Sequence, residues 1–145
     1  MTKPNTSDSN SPAINPDFNR SALYQLEREG FIEDIYSVSR PTATSQIVGF
    51  QRNATIYNAL ISYETVIGFI RYGRVNDLVY LTPYYCITNT TIRHRNKWLK
   101  DDAQTFKRNL KTGHYKMSML PLKRMIEEME AEAEKLSIAS VSATA

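Results

Sequence analysis

The chain has 145 residues, of which 41% are hydrophobic and 23% charged, and its formal net charge is +3 at pH 7. This size and composition indicate one domain with a real core, in which most of the chain is expected to fold. Cys86 is the only cysteine, which excludes an internal disulfide and a cysteine-rich zinc site. No apolar run reaches the roughly 18 residues of a membrane span, and the polar N-terminus lacks a signal-peptide pattern, so we expect a cytoplasmic protein without membrane contacts.

Composition divides the chain into three parts. Residues 1–19 are rich in Ser, Asn, Thr, Pro and Asp, which predicts a flexible N-terminal arm that could order on a partner. Residues 20–136 carry the apolar positions and are predicted to form a single α+β domain. Residues 137–145 (SIASVSATA) are predicted to be a frayed C-terminal tail.

The first element of the domain is a short helix. Residues 21–29 (SALYQLERE) have helical spacing, with Ser21 able to cap the start and Gly30 able to end it. The next segment, residues 31–40 (FIEDIYSVSR), fits helical spacing about as well as strand alternation. Its assignment therefore stays open at this point.

The middle of the chain has the alternation of a sheet. Between residues 46 and 88 the segments SQIVGFQ, TIYNALISY, VIGFIRY, LVYLT and YYCIT predict an antiparallel meander of four or five strands. Pro83 stands between the last two segments as a bulge or strand boundary. If YYCIT is a strand, Cys86 is buried in it, and Tyr84 and Tyr85 point to opposite faces so that one is exposed.

The sequence after the meander predicts helices. Thr90 or Thr91 can cap a helix in which Trp98 belongs to the core, and a second helical piece at residues 103–110 is predicted to extend it. Ser118 can cap a last amphipathic helix, whose apolar positions are Leu122, Met125, Ile126, Met129 and Ala133. The predicted fold is therefore α+β: a short N-terminal helix, a β-meander, and one to two C-terminal helices on one face.

Charge is segregated along the C-terminal half of the chain. Residues 93–116 contain eight Lys or Arg against two Asp, whereas residues 127–134 contain five Glu and no Lys or Arg. Two pairings are open. The acidic segment can neutralise the basic one in the same chain, or the two can meet between copies in a homo-oligomer.

The basic segment is the candidate binding site. Phosphate binding requires cations on a common surface, because each neutralised phosphate releases counterions. Arg93, Lys97 and Lys100 lie at i, i+4 and i+7 of the predicted helix, and Arg95 and Asn96 are residue types that can read base edges. The candidate nucleic-acid-binding residues are Arg93, Arg95, Asn96, Lys97, Lys100, Lys107, Arg108 and Lys111. The competing interpretation is an ordinary solvated helix face.

The sequence offers little for catalysis or metal binding. His94 and His114 are the only histidines, and no cluster of Asp, Glu or Cys with ligand spacing accompanies either one. Cys86 and His94 could act as nucleophile and base only if the fold joined them, and no third orienting group is visible. No glycine-rich phosphate loop is present. We therefore expect a protein that is not an enzyme and uses neither a metal nor a cofactor.

One stretch resembles a small domain of unknown function that is common in phage and plasmid proteins. The segments ISYETVIGFI, VYLTPYYCIT and TTIRHRNKWL carry the resemblance, over about residues 55–99. The matching positions are Tyr63, Thr65, Tyr80, Thr82, Tyr84, Tyr85, Thr88, Thr90, Thr91, His94, Asn96 and Trp98. The gap between the Tyr pair and the His is longer here than in that pattern. The resemblance implies a mobile-element origin, a β-meander followed by a helix, and an accessory role.

Two further expectations follow. The polar cluster of Thr88, Thr90, Thr91 and His94 at the sheet-to-helix junction is expected to be structural, because these side chains readily bond to nearby backbone. The functional hypothesis is a non-enzymatic accessory protein of a phage or mobile element, acting in the host cytoplasm, that binds nucleic acid through the basic helix. The alternative is a protein-binding module that inhibits a host defence complex or forms part of a larger assembly.

Overall fold

The computed structural model describes residues 14–74 and 76–144, with side chains described through residue 138. A short 3-10 helix at Pro16–Phe18 precedes the domain. The strands are β1 (Asp34–Thr42), β2 (Ser45–Arg52), β3 (Thr55–Ser62), β4 (Thr65–Arg71), β5 (Leu78–Leu81) and β6 (Tyr115–Met117). The helices are α1 (Arg20–Arg28), α2 (Asn89–Leu99), α3 (Ala103–Lys111) and α4 (Leu122–Thr144).

The strands form one sheet in the order β1-β2-β3-β4-β5-β6. β1 to β5 are antiparallel, and of these β2 to β5 match the first four strands of the predicted meander; the α+β class is confirmed. The predicted number of strands was wrong, because β6 adds a sixth strand that pairs in parallel with β5, Val79 opposite Tyr115. A strand of three residues is too short to show an alternating pattern in the sequence.

Residues 31–40, whose pattern fitted a helix and a strand about equally well, contain most of β1, an edge strand of the sheet. Most of its residues are exposed, since an edge strand with no helix packed closely over it has little apolar face to bury. Its pairing with β2 is irregular between Ile35 and Ser37 and again between Ser39 and Thr42. These irregularities break the period of two, which explains why the sequence pattern was ambiguous.

The predicted last strand, YYCIT, is a series of turns. Thr82 starts them: its buried hydroxyl donates to the Val66 carbonyl at 2.7 Å and accepts from the Tyr84 N–H at 3.3 Å. The strand ends there because the Thr82 hydroxyl bonds to backbone groups that would otherwise pair with a continuing strand. Cys86 is consequently exposed rather than buried, and Tyr84 and Tyr85 are both half-buried.

Helices cover both faces of the sheet. On one face, called here the α1–α4 face, Leu23, Phe50, Phe69 and Met125 belong to one buried cluster. The opposite α2–α3 face has a second cluster, which includes Leu60, Ile67, Leu81, Trp98 and Phe106. The prediction of helices on one face was therefore wrong. Strands β3 to β5 are apolar on both sides, and a sheet of that kind requires cover on both.

The predicted N-terminal arm and C-terminal tail can each be compared with the described residues. Of the predicted arm, residues 1–13 lie outside the described residues, while Phe18 in the 3-10 helix is buried against the edge of Tyr84. At the other end, α4 runs through to Thr144 and so includes most of the predicted tail. The side chains of residues 139–145 lie outside the described part.

Candidate nucleic-acid interface

Helix α2 is held in place at both ends. Thr88 is its N-cap, with a side-chain oxygen that accepts from the Thr91 N–H at 3.0 Å, so the cap lies two or three residues before the predicted Thr90 or Thr91. Lys100 ends the helix in the left-handed conformation, with φ 58°. Between these caps, the helix turns His94 and Trp98 toward the sheet, where both are buried.

The polar cluster around His94 is a buried hydrogen-bond network. The imidazole Nδ1 lies 2.8 Å from the Ser62 Oγ, and Nε2 lies 3.2 Å from the hydroxyls of both Thr42 and Thr44. Ser62 also bonds Thr91 at 3.0 Å. The network therefore connects α2 to the end of β3 and to the β1–β2 turn, with a partner for both ring nitrogens.

Burial and nearby charge favour the neutral form of the His94 ring. Burial lowers its pKa, and the nearby charges of Arg93 and Lys97 lower it further. Although Ser62 and His94 have the separation of a nucleophile and its base, Ser62 is only 2% exposed and the second ring nitrogen meets two hydroxyls. A neutral ring with hydroxyl partners on both sides positions the helix, and it presents no reactive oxygen to solvent.

Arg95 and Asn96, the candidates for reading bases, bond to each other. The Arg95 Nε and Nη2 donate to the Asn96 Oδ1 at 3.2 and 2.8 Å, and its Nη1 donates to the Tyr85 carbonyl at 3.2 Å. The guanidinium lies 3.4 Å from the ring centroid of Phe106 in α3. Arg95 is 5% exposed, so its side chain joins α2 to α3 and does not project from the surface.

The other six candidates are exposed on the outer side of the same two helices. We call this set the basic surface: Arg93, Lys97 and Lys100 of α2, and Lys107, Arg108 and Lys111 of α3. Both helices cover the α2–α3 face and touch through Arg95 and Phe106. The fold thus exposes six of the eight predicted residues on this side of the sheet, while Arg95 is buried and Asn96 is half-buried.

Acidic side chains near the basic surface have other roles. Asp102 is the N-cap of α3 and accepts from the Thr105 N–H at 2.7 Å, a bond that lowers the pKa of Asp102. Asp101 accepts from the Tyr115 hydroxyl at 2.6 Å. Neither aspartate forms an ion pair with the basic surface within the described residues.

The acidic helix α4 lies on the opposite face of the sheet. Glu130 pairs with Arg52 at 2.9 Å, and Glu132 pairs with Lys116 at 3.2 Å. The third ion pair of this helix joins Arg124 and Glu127 at 3.4 Å, within α4 itself. In the described part of the chain, none of the α4 glutamates pairs with the basic surface, so its charge is not neutralised by the acidic segment.

The sequence did not predict a second group of neighbouring cations. Arg20, Arg28 and Arg40 line a cleft of about 440 Å³ between α1 and the β1–β2 edge of the sheet. Tyr24 lines it too, and the spacing of Arg20, Tyr24 and Arg28 along the predicted helix was visible in the sequence. Arg40 could not be placed beside them, because the segment that contains it had no assigned structure.

Several other observations bear on chemistry and identity. In residues 14–74 and 76–144, no three His, Cys, Asp or Glu side chains are grouped so as to hold a metal ion. In the same ranges, no helix combines the length and apolar character needed to cross a membrane. No family model matches the sequence, and neither a curated protein nor a solved structure is significantly similar to it.

Proposed function

We propose that this protein is a non-enzymatic accessory protein of a phage or mobile element that binds nucleic acid through the basic surface. The observation that supports the proposal is the placement of charge on the two sides of the sheet. Six exposed cations lie on α2 and α3 without an ion pair among the described residues, while the glutamates of α4 pair on the opposite face. A polyanion is the partner that such a surface fits.

The mode of binding is contact with phosphates rather than with bases. Arg93, Lys97 and Lys100 can each neutralise one phosphate, and the cations of α3 extend the same surface. Arg95 is buried and its guanidinium occupies the Asn96 Oδ1, which ties up the side chains best suited to read base edges. Binding through phosphates alone is independent of sequence and strongly dependent on salt.

The salt dependence of binding tests this proposal. Fluorescence anisotropy of a labelled single strand and of its duplex is measured between about 50 and 200 mM salt. If all six cations contact phosphates, the slope of log K against log salt is about −5 for the duplex and about −4 for the single strand. Unrelated sequences should bind equally. Absence of binding at low salt, or a flat slope, would refute the proposal.

A second candidate function is binding of a protein through the edge of the sheet. β1 is a nine-residue edge strand on which Tyr36 is 50% and Val38 46% exposed. An edge strand with exposed apolar side chains is a template for an added strand, from a second copy or from a host or assembly protein. Sedimentation equilibrium tests self-association, and a wild-type dimer that the substitution Tyr36→Lys dissociates would support binding through this edge. If the wild type is a monomer and also captures no protein from nuclease-treated lysate, this second function is excluded.

A further inference from the structure

The arginine cleft lies away from the basic surface, on the α1–α4 face. It has a volume of about 440 Å³ and is formed by α1 on one side and by β1 and β2 on the other. Arg20, Arg28 and Arg40 line it together with the side chains of Ser21, Tyr24 and Gln46. The cleft therefore combines three guanidinium groups with neutral polar groups and one apolar side chain, Val38. Its volume lies within the usual range of small-molecule pockets.

A buried glutamine draws two of these arginines together. Gln46 is 4% exposed. With its amide oxygen turned to the cleft, Gln46 accepts from the Arg40 Nη1 and Nη2 at 2.8 and 2.7 Å and from the Arg20 Nη1 at 3.3 Å. Two cations bound to one neutral oxygen repel each other, and an anion between them would remove that cost.

The charge of the cleft is incompletely balanced. Arg20 pairs at 3.0 Å with Glu64, whose side chain is 68% exposed. Arg28 and Arg40 have no ionic partner among the described residues, although Arg28 donates from its Nε to the Gln25 Oε1 at 3.1 Å. Glu27 of α1 accepts from a backbone N–H of β1 and does not line the cleft. Three guanidinium groups against one carboxylate leave an excess of two positive charges.

We propose that the arginine cleft binds the dianionic phosphate of a phosphomonoester. The excess of two positive charges matches a phosphomonoester, which carries nearly two negative charges at neutral pH. Planar guanidinium groups bind phosphate oxygens in pairs. The hydroxyls of Ser21 and Tyr24 add donors beside them. This site does not depend on the basic surface. The same chemistry is offered by free phosphate, a mononucleotide, or the 5′-phosphate of a nucleic acid.

Calorimetric titration of the full chain tests the site and separates these sources. The ligands are inorganic phosphate, a 5′-mononucleotide, and two otherwise identical oligonucleotides that differ in the presence of a 5′-phosphate. We expect saturable binding of at least one phosphomonoester, weakened about tenfold or more by Arg28→Ala and by Arg40→Ala. Arg124→Ala, which removes an exposed arginine elsewhere on the same face, is the matched control and should leave the affinity unchanged.

Further variants keep the test decisive. Arg40→Lys retains the charge and loses the bidentate geometry, so this variant should bind with intermediate affinity. If Arg40→Ala does not fold, Arg40→Lys takes its place in the test. Replacing Arg93, Lys97 and Lys100 by Ala should weaken both oligonucleotides and leave the preference for the 5′-phosphate intact if the oligonucleotide end is the ligand. The proposal is overturned if no phosphomonoester binds at millimolar concentration, or if Arg28→Ala and Arg40→Lys bind as well as the wild type.

Discussion

The glutamates of α4 and the cations of α2 and α3 lie on opposite faces of the sheet and differ in whether they are paired. On the α1–α4 face, Glu130 and Glu132 of α4 are paired with Arg52 and Lys116. On the α2–α3 face, the six cations of the basic surface are exposed and unpaired among the described residues. Apart from Lys116, which pairs with Glu132, the cations of the basic segment lie across the sheet from the acidic helix. The sheet therefore separates the basic surface from the glutamates of α4.

The layers also differ in how they are attached. α4 packs through Leu122, Met125, Ile126 and Met129, all of them buried, so burial of apolar surface holds it. α2 places His94, Arg95 and Trp98 against its neighbours, and much of its attachment is hydrogen bonding. A buried polar attachment fixes orientation closely but tolerates the loss of one partner poorly. The layer that carries the free charge is therefore the one most sensitive to single substitutions of polar groups.

The largest effect should come from removing charge from α2. Replacing Arg93, Lys97 and Lys100 by Ala is expected to lower nucleic-acid affinity on the order of a hundredfold at low salt and to reduce the salt slope by about three. The free energy of unfolding should change little, because all three side chains are exposed. Anisotropy and urea denaturation measure the two quantities.

The matched control removes the same charge from the other layer. Lys123, Arg124 and Lys135 are exposed on α4, and their replacement by Ala should leave the affinity within about threefold of the wild type, since remote charges act only through the screened field. Equal losses in the two triple variants would mean that net charge, and not a particular surface, governs binding.

Arg95 tests whether the α2 layer depends on buried polar contacts. Arg95→Ala leaves Asn96 Oδ1 and the Tyr85 carbonyl without their donors and uncovers the ring of Phe106. We expect a loss of about 2–3 kcal/mol in the free energy of unfolding. Lys97→Ala, in the same helix but exposed, should cost less than about 0.5 kcal/mol. Similar values for both would show that Arg95 is not a structural contact.

Ser62 tests the other side of the same helix. Ser62→Ala removes the partner of His94 Nδ1 and of the Thr91 hydroxyl, in a place that water does not reach easily, since Ser62 is 2% exposed. The expected cost is about 1–2 kcal/mol in the free energy of unfolding, measured by urea denaturation. Ser39→Ala on the exposed edge strand is the control and should lie within about 0.5 kcal/mol of the wild type. An equally small effect at Ser62 would show that the network adds no stability.

The sequence predicted the parts of the fold that repeat and missed those that depend on distant contacts. The meander and the amphipathic face of α4 follow from alternation and helical spacing, and Trp98 is in the core as predicted. The strand β6 depends on pairing with Val79, which precedes Tyr115 by 36 positions in the sequence. No local pattern reports such a pairing.

The candidate site shows the same division. The exposed positions of Arg93, Lys97 and Lys100 follow from their spacing, since they share one side of a helix. The burial of Arg95 does not, because it requires α3 to lie alongside and offer Phe106. Likewise, His94 was placed in a structural cluster, but its partners Thr42 and Thr44 come from a turn that only the sheet brings near.

The smallest effect, and the most specific for the α2 layer, is the pH dependence contributed by His94. Its pKa is lowered in the folded protein by burial and by Arg93 and Lys97, whereas the partners from the sheet, Thr42, Thr44 and Ser62, carry no charge. The unfolded chain therefore binds a proton more readily than the folded one. The contribution of His94 is fully present above its unfolded pKa of about 6.5 and is lost as pH falls below that value toward the folded pKa, with a slope of at most about 1.4 kcal/mol per pH unit.

Comparison of two histidine variants isolates the contribution of His94 to the pH dependence of the free energy of unfolding. Urea denaturation between about pH 7.5 and 5.5 brackets the unfolded pKa of histidine. This pH range lies above the one in which carboxylates titrate. Asp102 titrates lower still, because the hydrogen bond to Thr105 lowers its pKa. His94→Gln should flatten the pH dependence, and His114→Gln, at an exposed position, should retain it. A retained slope in His94→Gln would place the titrating group elsewhere and would leave the attachment of α2 independent of pH. A flattened slope would mean that protonation of His94 is what destabilises the fold as the pH falls through this range.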